Sequence, residues 1–197
     1  MRRVVVTGLG AVTPLGNSAP ETWRAALAGE SGIDWIRAFD ASDYPVRVAA
    51  EVKDFDPTGV ASPKEQRKLD RNVLMALAAG KEAVENAGLN GFDPHRVGIA
   101  FGSAIGGIAG IMQQGEILRE RGYERISPSF IPSVLVDAAS GQLAISLGIR
   151  GPNYAPVSAC ATGSHAVGEA AELIKRGDAD AMLAAVSYTH LEPTRRS

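Results

Sequence analysis

The sequence predicts an α/β fold with helices layered on a sheet, and three observations carry that prediction. Short apolar runs of strand type, such as 96–101 and 181–186, alternate with longer stretches of helical spacing. Helix-start signals, Ser18-Ala19-Pro20-Glu21 and Ser62-Pro63-Lys64-Glu65, stand before helical stretches. Glycines stand where the helical spacing stops, at Gly29, Gly88 and Gly177. The 197 residues are enough for one domain with a core, and 45% hydrophobic against 21% charged residues is a globular balance.

Taken in order, Val4-Val5-Val6 reads as a short buried strand. A helix follows from the Ser18 cap to Ala28. Residues 40–57 are irregular, with an alternating stretch from Val46 to Val52 that suits a strand. From the Ser62 cap, Leu69, Val73, Leu77, Val84 and Ala87 keep helical spacing as far as Gly88. Arg96 to Phe101 is a buried strand, Gly107 to Arg121 and Ser133 to Leu147 are helices, and Ala181 to Val186 is another strand. The chain shows no solenoid-period repeat and no low-complexity linker.

Composition excludes some functions. A net charge of −2 without a basic block gives no nucleic-acid footprint. The apolar run after Arg2-Arg3 ends at Thr7-Gly8, too short for a signal peptide or a membrane span. One cysteine excludes an internal disulfide and fits a reducing compartment, so the expectation is a cytoplasmic protein without membrane partners. No cofactor or metal motif stands out. Gly8-Leu9-Gly10 follows a strand, but Thr13 occupies the third glycine position of a dinucleotide fingerprint, so a structural turn is expected there. Gly102 to Gly107 lacks the Gly-Lys-Ser/Thr ending of a phosphate loop.

The chemistry centres on Cys160. The apolar segment Tyr154 to Val157 runs into it, and a run of small residues, Ala161 to Ala171, follows. The pattern is a strand, a tight turn carrying a thiol, then a helix from about Ala161 to Arg176. A helix N-terminus carries partial positive charge and free N–H groups, which favour the nucleophilic thiolate and can hold an oxyanion. The alternative reading of a lone cysteine is a small buried hydrophobe. The small residues of the helix read as close packing on several faces. His165, five residues and about 500° of helical rotation beyond Cys160, faces away from it and reads as a satisfied buried histidine rather than a base. His95 lies in a turn, exposed, and His190 in the C-terminal tail.

Cys160-Ala161-Thr162-Gly163-Ser164-His165, with Gly168 and Gly177-Asp178-Ala179-Asp180 behind it, resembles the nucleophile region of β-ketoacyl-acyl-carrier-protein synthases, above all the type II elongating enzymes. The opening Val4 to Gly16, the segment Phe101 to Gly107, Ser127 to Pro132 and Gly148 to Pro152 are similar to the same family in order and spacing. The resemblance covers residues 1–184; residues 185–197 do not match it and read as a separate tail. It implies the thiolase-like α-β-α-β-α layered fold, of which this chain would hold most of the first half. It implies Cys160 as acyl acceptor, with its own N–H as one oxyanion donor. It also places Ile105 and Phe130 at the acyl pocket, Phe130 across a subunit interface; core packing is the alternative for both. An acyl carrier protein bearing acyl and malonyl groups is the implied partner, and a homodimer the implied assembly of the full-length enzyme.

The family's reaction is a decarboxylative condensation in fatty-acid elongation. The acyl-cysteine is attacked by a carbanion formed from malonyl-carrier protein, with the aid of two histidines. Those histidines belong to the second half of the family pattern, so the 197-residue chain alone is expected to be inactive in condensation. Alternatives are a polyketide-type ketosynthase and a noncatalytic, dimerising subunit that shapes the acyl tunnel; such subunits replace the nucleophile, and Cys160 argues against the latter.

Overall fold

The structure is a computed structural model that describes residues 2–188. The tail expected at 185–197, with His190, lies outside the described residues beyond Tyr188.

Helix α1 (Ala19–Leu27) starts where the sequence places it: the Ser18 hydroxyl accepts from the Glu21 N–H, and Gly29 follows the C-cap at φ +71°. Strands β1 (Ile33–Trp35) and β2 (Val48–Ala50) form a small antiparallel ribbon. The single helix expected from Ser62 to Gly88 is two: α2 (Pro63–Gln66), closed by a complete Ser62/Glu65 capping box, and α3 (Arg71–Asn86). The break has a local cause. Asp70 is extended (φ −67°, ψ 153°) and its carboxylate accepts from the Asn72 N–H, beginning a new helix. Strand β3 (Val97–Gly102) leads into α4 (Ile108–Arg121). The helix expected over Ser133 to Leu147 is likewise divided, into α5 (Phe130–Val134) and α6 (Ala138–Leu147), because Leu135 adopts an extended conformation (ψ 150°). Strand β4 (Asn153–Tyr154) is shorter than expected, and α7 (Thr162–Arg176) and β5 (Ala181–Val186) close the described fold.

The main sheet has the order β4-β3-β5, all parallel, with β3 in the centre and buried along its whole length. Residues β3 to β5 pair from Val97↔Ala181 to Gly102↔Val186. Helices α3 and α6 cover one face and α7 the other, so three layers are formed. On the first face Val97, Ile99 and Phe101 meet Val73, Leu77, Ala139 and Leu143. On the second, Ala100 meets Ala166 and Ala170.

Three local expectations are corrected. Val4 to Val6 form no strand, and Val5 and Val6 are exposed, since no described strand pairs with them. Gly8 and Gly10 do not make a turn. They lie against α3, where a Cβ would run into the Ala83 and Ala79 carbonyls, while Asn86 and Glu82 accept from the Leu9 and Ala11 N–H groups at 2.9 Å. Helix α7 packs on one face only, through Thr162, Ala166, Ala170 and Leu173; Ser164, Gly168 and Val167 are exposed.

Candidate active site at the carboxyl edge of the sheet

Because the three strands are parallel, their carboxyl ends share one edge. That edge is where open α/β sheets place ligands. The loop after β3 carries Ile105, the turn after β4 carries Cys160, and Ser187 and Tyr188 follow directly on β5. Cys160 is free and exposed, in a short 3₁₀ turn (Ala159–Ala161) that runs directly into α7. The sequence-based reading of a strand, a thiol-bearing turn and a helix is the observed local structure.

The turn is tightly determined. Ala159 has φ +49°, a left-handed conformation that alanine avoids. Its carbonyl accepts from the Thr162 hydroxyl at 2.7 Å, from the Thr162 N–H, and from the Tyr188 hydroxyl at 3.3 Å. The Ser158 N–H donates to the Thr162 Oγ1 at 3.0 Å, and the Ala161 N–H to the Ser158 carbonyl at 3.1 Å. Gly102, the last residue of β3, lies beneath the turn; a Cβ there would strike the Pro156 carbonyl and approach Thr162 Cγ2 to 2.7 Å. Its carbonyl accepts from the Ser187 N–H at 3.0 Å, and the Ser187 hydroxyl donates to the Asn72 carbonyl at 2.9 Å. Sheet, α7 and the start of α3 thus meet under the thiol. Among the described residues nothing accepts a hydrogen bond from the Cys160 N–H, which leaves it available to an oxyanion.

His165 is not buried. It is exposed, and its Nδ1 lies 2.6 Å from the Ser158 Oγ, so it staples the approach to the turn and is satisfied there rather than in the core. His95 is exposed in a turn, as expected. Ile105 is 56% exposed, and the loop that carries it is shaped by Gly106 at φ +79° and by the buried Ser103 hydroxyl, which accepts from the Gly106 N–H. Phe130 is half-buried at the start of α5, which packs on α4. Ile105 and Cys160 share the sheet edge, while Phe130 stands on α5 against α4.

Asp70 ties the far side of the edge together. Besides capping α3 it lies at the start of α4, close enough to Gly107 that a Cβ there would come within 2.8 Å of Oδ2, and Gly110 donates to it. Burial pushes its carboxyl above the ordinary value of 3.8, against the pull of those N–H groups. Tyr154, at the end of β4, has a buried hydroxyl without a partner, and burial raises it as well. Among the described residues no cluster of His, Cys, Asp and Glu could hold a metal ion, and no helix is long and apolar enough to cross a membrane.

Thr162, Tyr188, Gly102 and Ser187 are the site residues that sequence reasoning missed. Thr162 stood in the motif itself without a role of its own, and Tyr188 stood in the segment assigned to the tail.

Comparison with known proteins decides the family. The profile described as "Beta-ketoacyl synthase, N-terminal domain" matches residues 1–196. The chain belongs to the β-ketoacyl synthase family. Its sequence is 47% identical over 185 residues to 3-oxoacyl-[acyl-carrier-protein] synthase 2 of Coxiella burnetii and 45% identical to that of Vibrio harveyi, with 93% of this chain and 45% of each relative covered. The Staphylococcus aureus N315 protein of the same name is 44% identical over 184 residues, with 92% and 44% covered. The chain therefore spans a little under half the length of the curated relatives it matches. Among solved structures, the ishigamide ketosynthase/chain length factor superposes with a TM-score of 0.82 at 26% identity, covering 94% of this chain and 47% of that one. A type II PKS ketosynthase solved with its acyl-carrier protein gives 0.77 at 25%, covering 96% and 51%. A β-ketoacyl synthase from Burkholderia phymatum gives 0.76 at 28%, covering 91% and 45%. The α/β layering expected from the sequence is the fold of these β-ketoacyl synthases.

Proposed function

We propose that this chain carries the acyl-accepting part of a 3-oxoacyl-acyl-carrier-protein synthase of fatty-acid elongation, with Cys160 as the acceptor. The observation that supports it most is the turn: an exposed thiol at the head of a 15-residue helix, held in a strained conformation, with its own N–H free. The Cys160 thiolate attacks the carbonyl carbon of an acyl thioester. The new C–S bond forms, the carbonyl electrons move to oxygen, and the Cys160 N–H donates to that oxyanion. Collapse breaks the C–S bond to the donor, whose thiolate leaves and takes up the proton that Cys160 gave to solvent. The product is an acyl-cysteine.

The donor is an acyl carrier protein, as the names of the relatives and the carrier-bound ketosynthase suggest. Ile105, exposed at the same edge, lines the acyl chain, and Phe130 lines it from a second copy in a homodimer. Decarboxylation of the malonyl donor and the condensing step fall to histidines in the part of the family pattern outside this chain. The curated relatives at 44–47% identity favour fatty-acid over polyketide synthesis, since the polyketide-type structure is 25% identical. Incubation with an acyl thioester followed by intact-mass spectrometry tests the reading. One acyl adduct is expected, mapped to Cys160 and absent in Cys160→Ala. A chain that takes no acyl group although its thiol reacts with iodoacetamide refutes it.

A further inference from the structure

We propose that the Thr162 hydroxyl is a positioning residue for Cys160, fixing the turn that presents the thiol, with the Tyr188 hydroxyl as its second support. The inference deepens the acyl-acceptor reading above and rests on it only for the choice of substrate.

Three observations carry it. First, Thr162 is fully buried, yet its hydroxyl is used twice: it accepts from the Ser158 N–H at 3.0 Å and donates to the Ala159 carbonyl at 2.7 Å. Only a group that both donates and accepts can close this bridge, so among residues of similar size serine can replace it and valine cannot. Second, the bridge spans the left-handed residue. Ser158 and Ala159 flank the peptide whose rotation puts Ala159 at φ +49°, and such a conformation persists only where its surroundings over-determine it. Third, Tyr188, arriving from the end of β5, donates to the same Ala159 carbonyl at 3.3 Å. The carbonyl that precedes Cys160 is thereby held from both α7 and β5. The same planar peptide carries the Cys160 N–H, so holding its carbonyl also fixes that N–H, which has no hydrogen-bond acceptor among the described residues.

Loss of the hydroxyl lets the 158–159 peptides relax toward ordinary φ. It also takes the acceptor away from the half-buried Ser158 N–H, and the thiol moves relative to the α7 terminus. Misplacement of a reacting group by about 1 Å can cost on the order of a hundredfold in rate, so a partial relaxation should cost about tenfold.

The single thiol makes the test direct. Rates of Cys160 modification by iodoacetamide and by an acyl thioester are read by intact mass for the parent chain, Thr162→Ser, Thr162→Val and Tyr188→Phe, with circular dichroism to confirm folding and alkylation in urea as the unfolded reference. In the folded state Thr162→Val should react about tenfold more slowly with both reagents, Thr162→Ser within about twofold of the parent, and all should agree in urea. Equal rates for Thr162→Val and the parent overturn the proposal. So does a Thr162→Ser rate as low as that of Thr162→Val, since packing and not the hydroxyl would then be at work. Should Thr162→Val fail to fold, Tyr188→Phe decides: it removes one exposed donor without touching the core, and an unchanged rate overturns the proposal while a two- to threefold fall supports it. A parent chain that alkylates readily but never acylates defeats the acyl-acceptor reading, while the iodoacetamide series still tests Thr162.

Discussion

The two faces of strand β3 are built to different scales. Val97, Ile99 and Phe101 point to one side and meet Val73, Leu77 and Leu143 from α3 and α6. Gly98, Ala100 and Gly102 point to the other, where Ala166 and Ala170 of α7 approach. The period of two along a strand makes this division possible in six residues. The bulky face supplies burial energy. The small face supplies proximity: with so little side chain between them, α7 lies close on the sheet, and its first turn is brought down onto Gly102 and the carboxyl edge. One face therefore governs how firmly the domain holds together, and the other where the thiol stands.

The largest effect is expected on the bulky face. Leu143 is fully buried, and Leu143→Ala should cost about 2–5 kcal/mol in urea unfolding. The Cys160 alkylation rate of the molecules that remain folded should stay near that of the parent. A loss of stability matched by an equal loss of thiol reactivity would erase the distinction between the faces. On the small face the order reverses. Ala100→Val adds bulk at a fully buried position facing Ala166, with a cost of about 1–3 kcal/mol. Because the added volume pushes on α7, alkylation should slow more than in Leu143→Ala, although less stability is lost.

The smallest effect concerns Asp70, at the head of α3. Burial raises its carboxyl in the folded chain, so the folded state holds that proton to higher pH than the unfolded one. Its contribution favours the fold fully below the unfolded value near 3.8 and is lost as pH rises through the higher folded value. Asparagine caps a helix about as well as aspartate. Asp70→Asn should therefore unfold within about 1 kcal/mol of the parent at neutral pH and remove this part of the pH dependence, checked by urea titrations at pH 4 and pH 7. A variant that loses stability steeply at pH 7 would show that the charge itself holds α4.

Much of this was legible in the sequence where the signal is local. Ser18, Ser62 and Gly177 mark helix ends through groups within a few residues of themselves, and the structure has the ends there. Cys160 was legible because a strand, a turn and a small-residue helix follow one another directly. What escaped has causes that the apolar pattern does not carry. Val4 to Val6 have strand composition, but a strand exists only with a neighbour. Asp70 and Leu135 each break an apolar period that continues unbroken in the letters. Helix α7 has an exposed outer face in this chain, although its composition suits contact on several sides. Thr162 was hidden for a further reason: nothing in a motif tells whether a buried hydroxyl bridges two backbone groups or merely fills space.

The exposed, unpaired thiol has a practical consequence for anyone who handles the protein. With no second cysteine in the chain, air oxidation can join Cys160 only to another molecule, giving a disulfide-linked pair that runs at twice the mass on a gel without reductant. Such a pair would counterfeit a homodimer, and sizing experiments on this chain belong in buffer with reductant or on the Cys160→Ser variant.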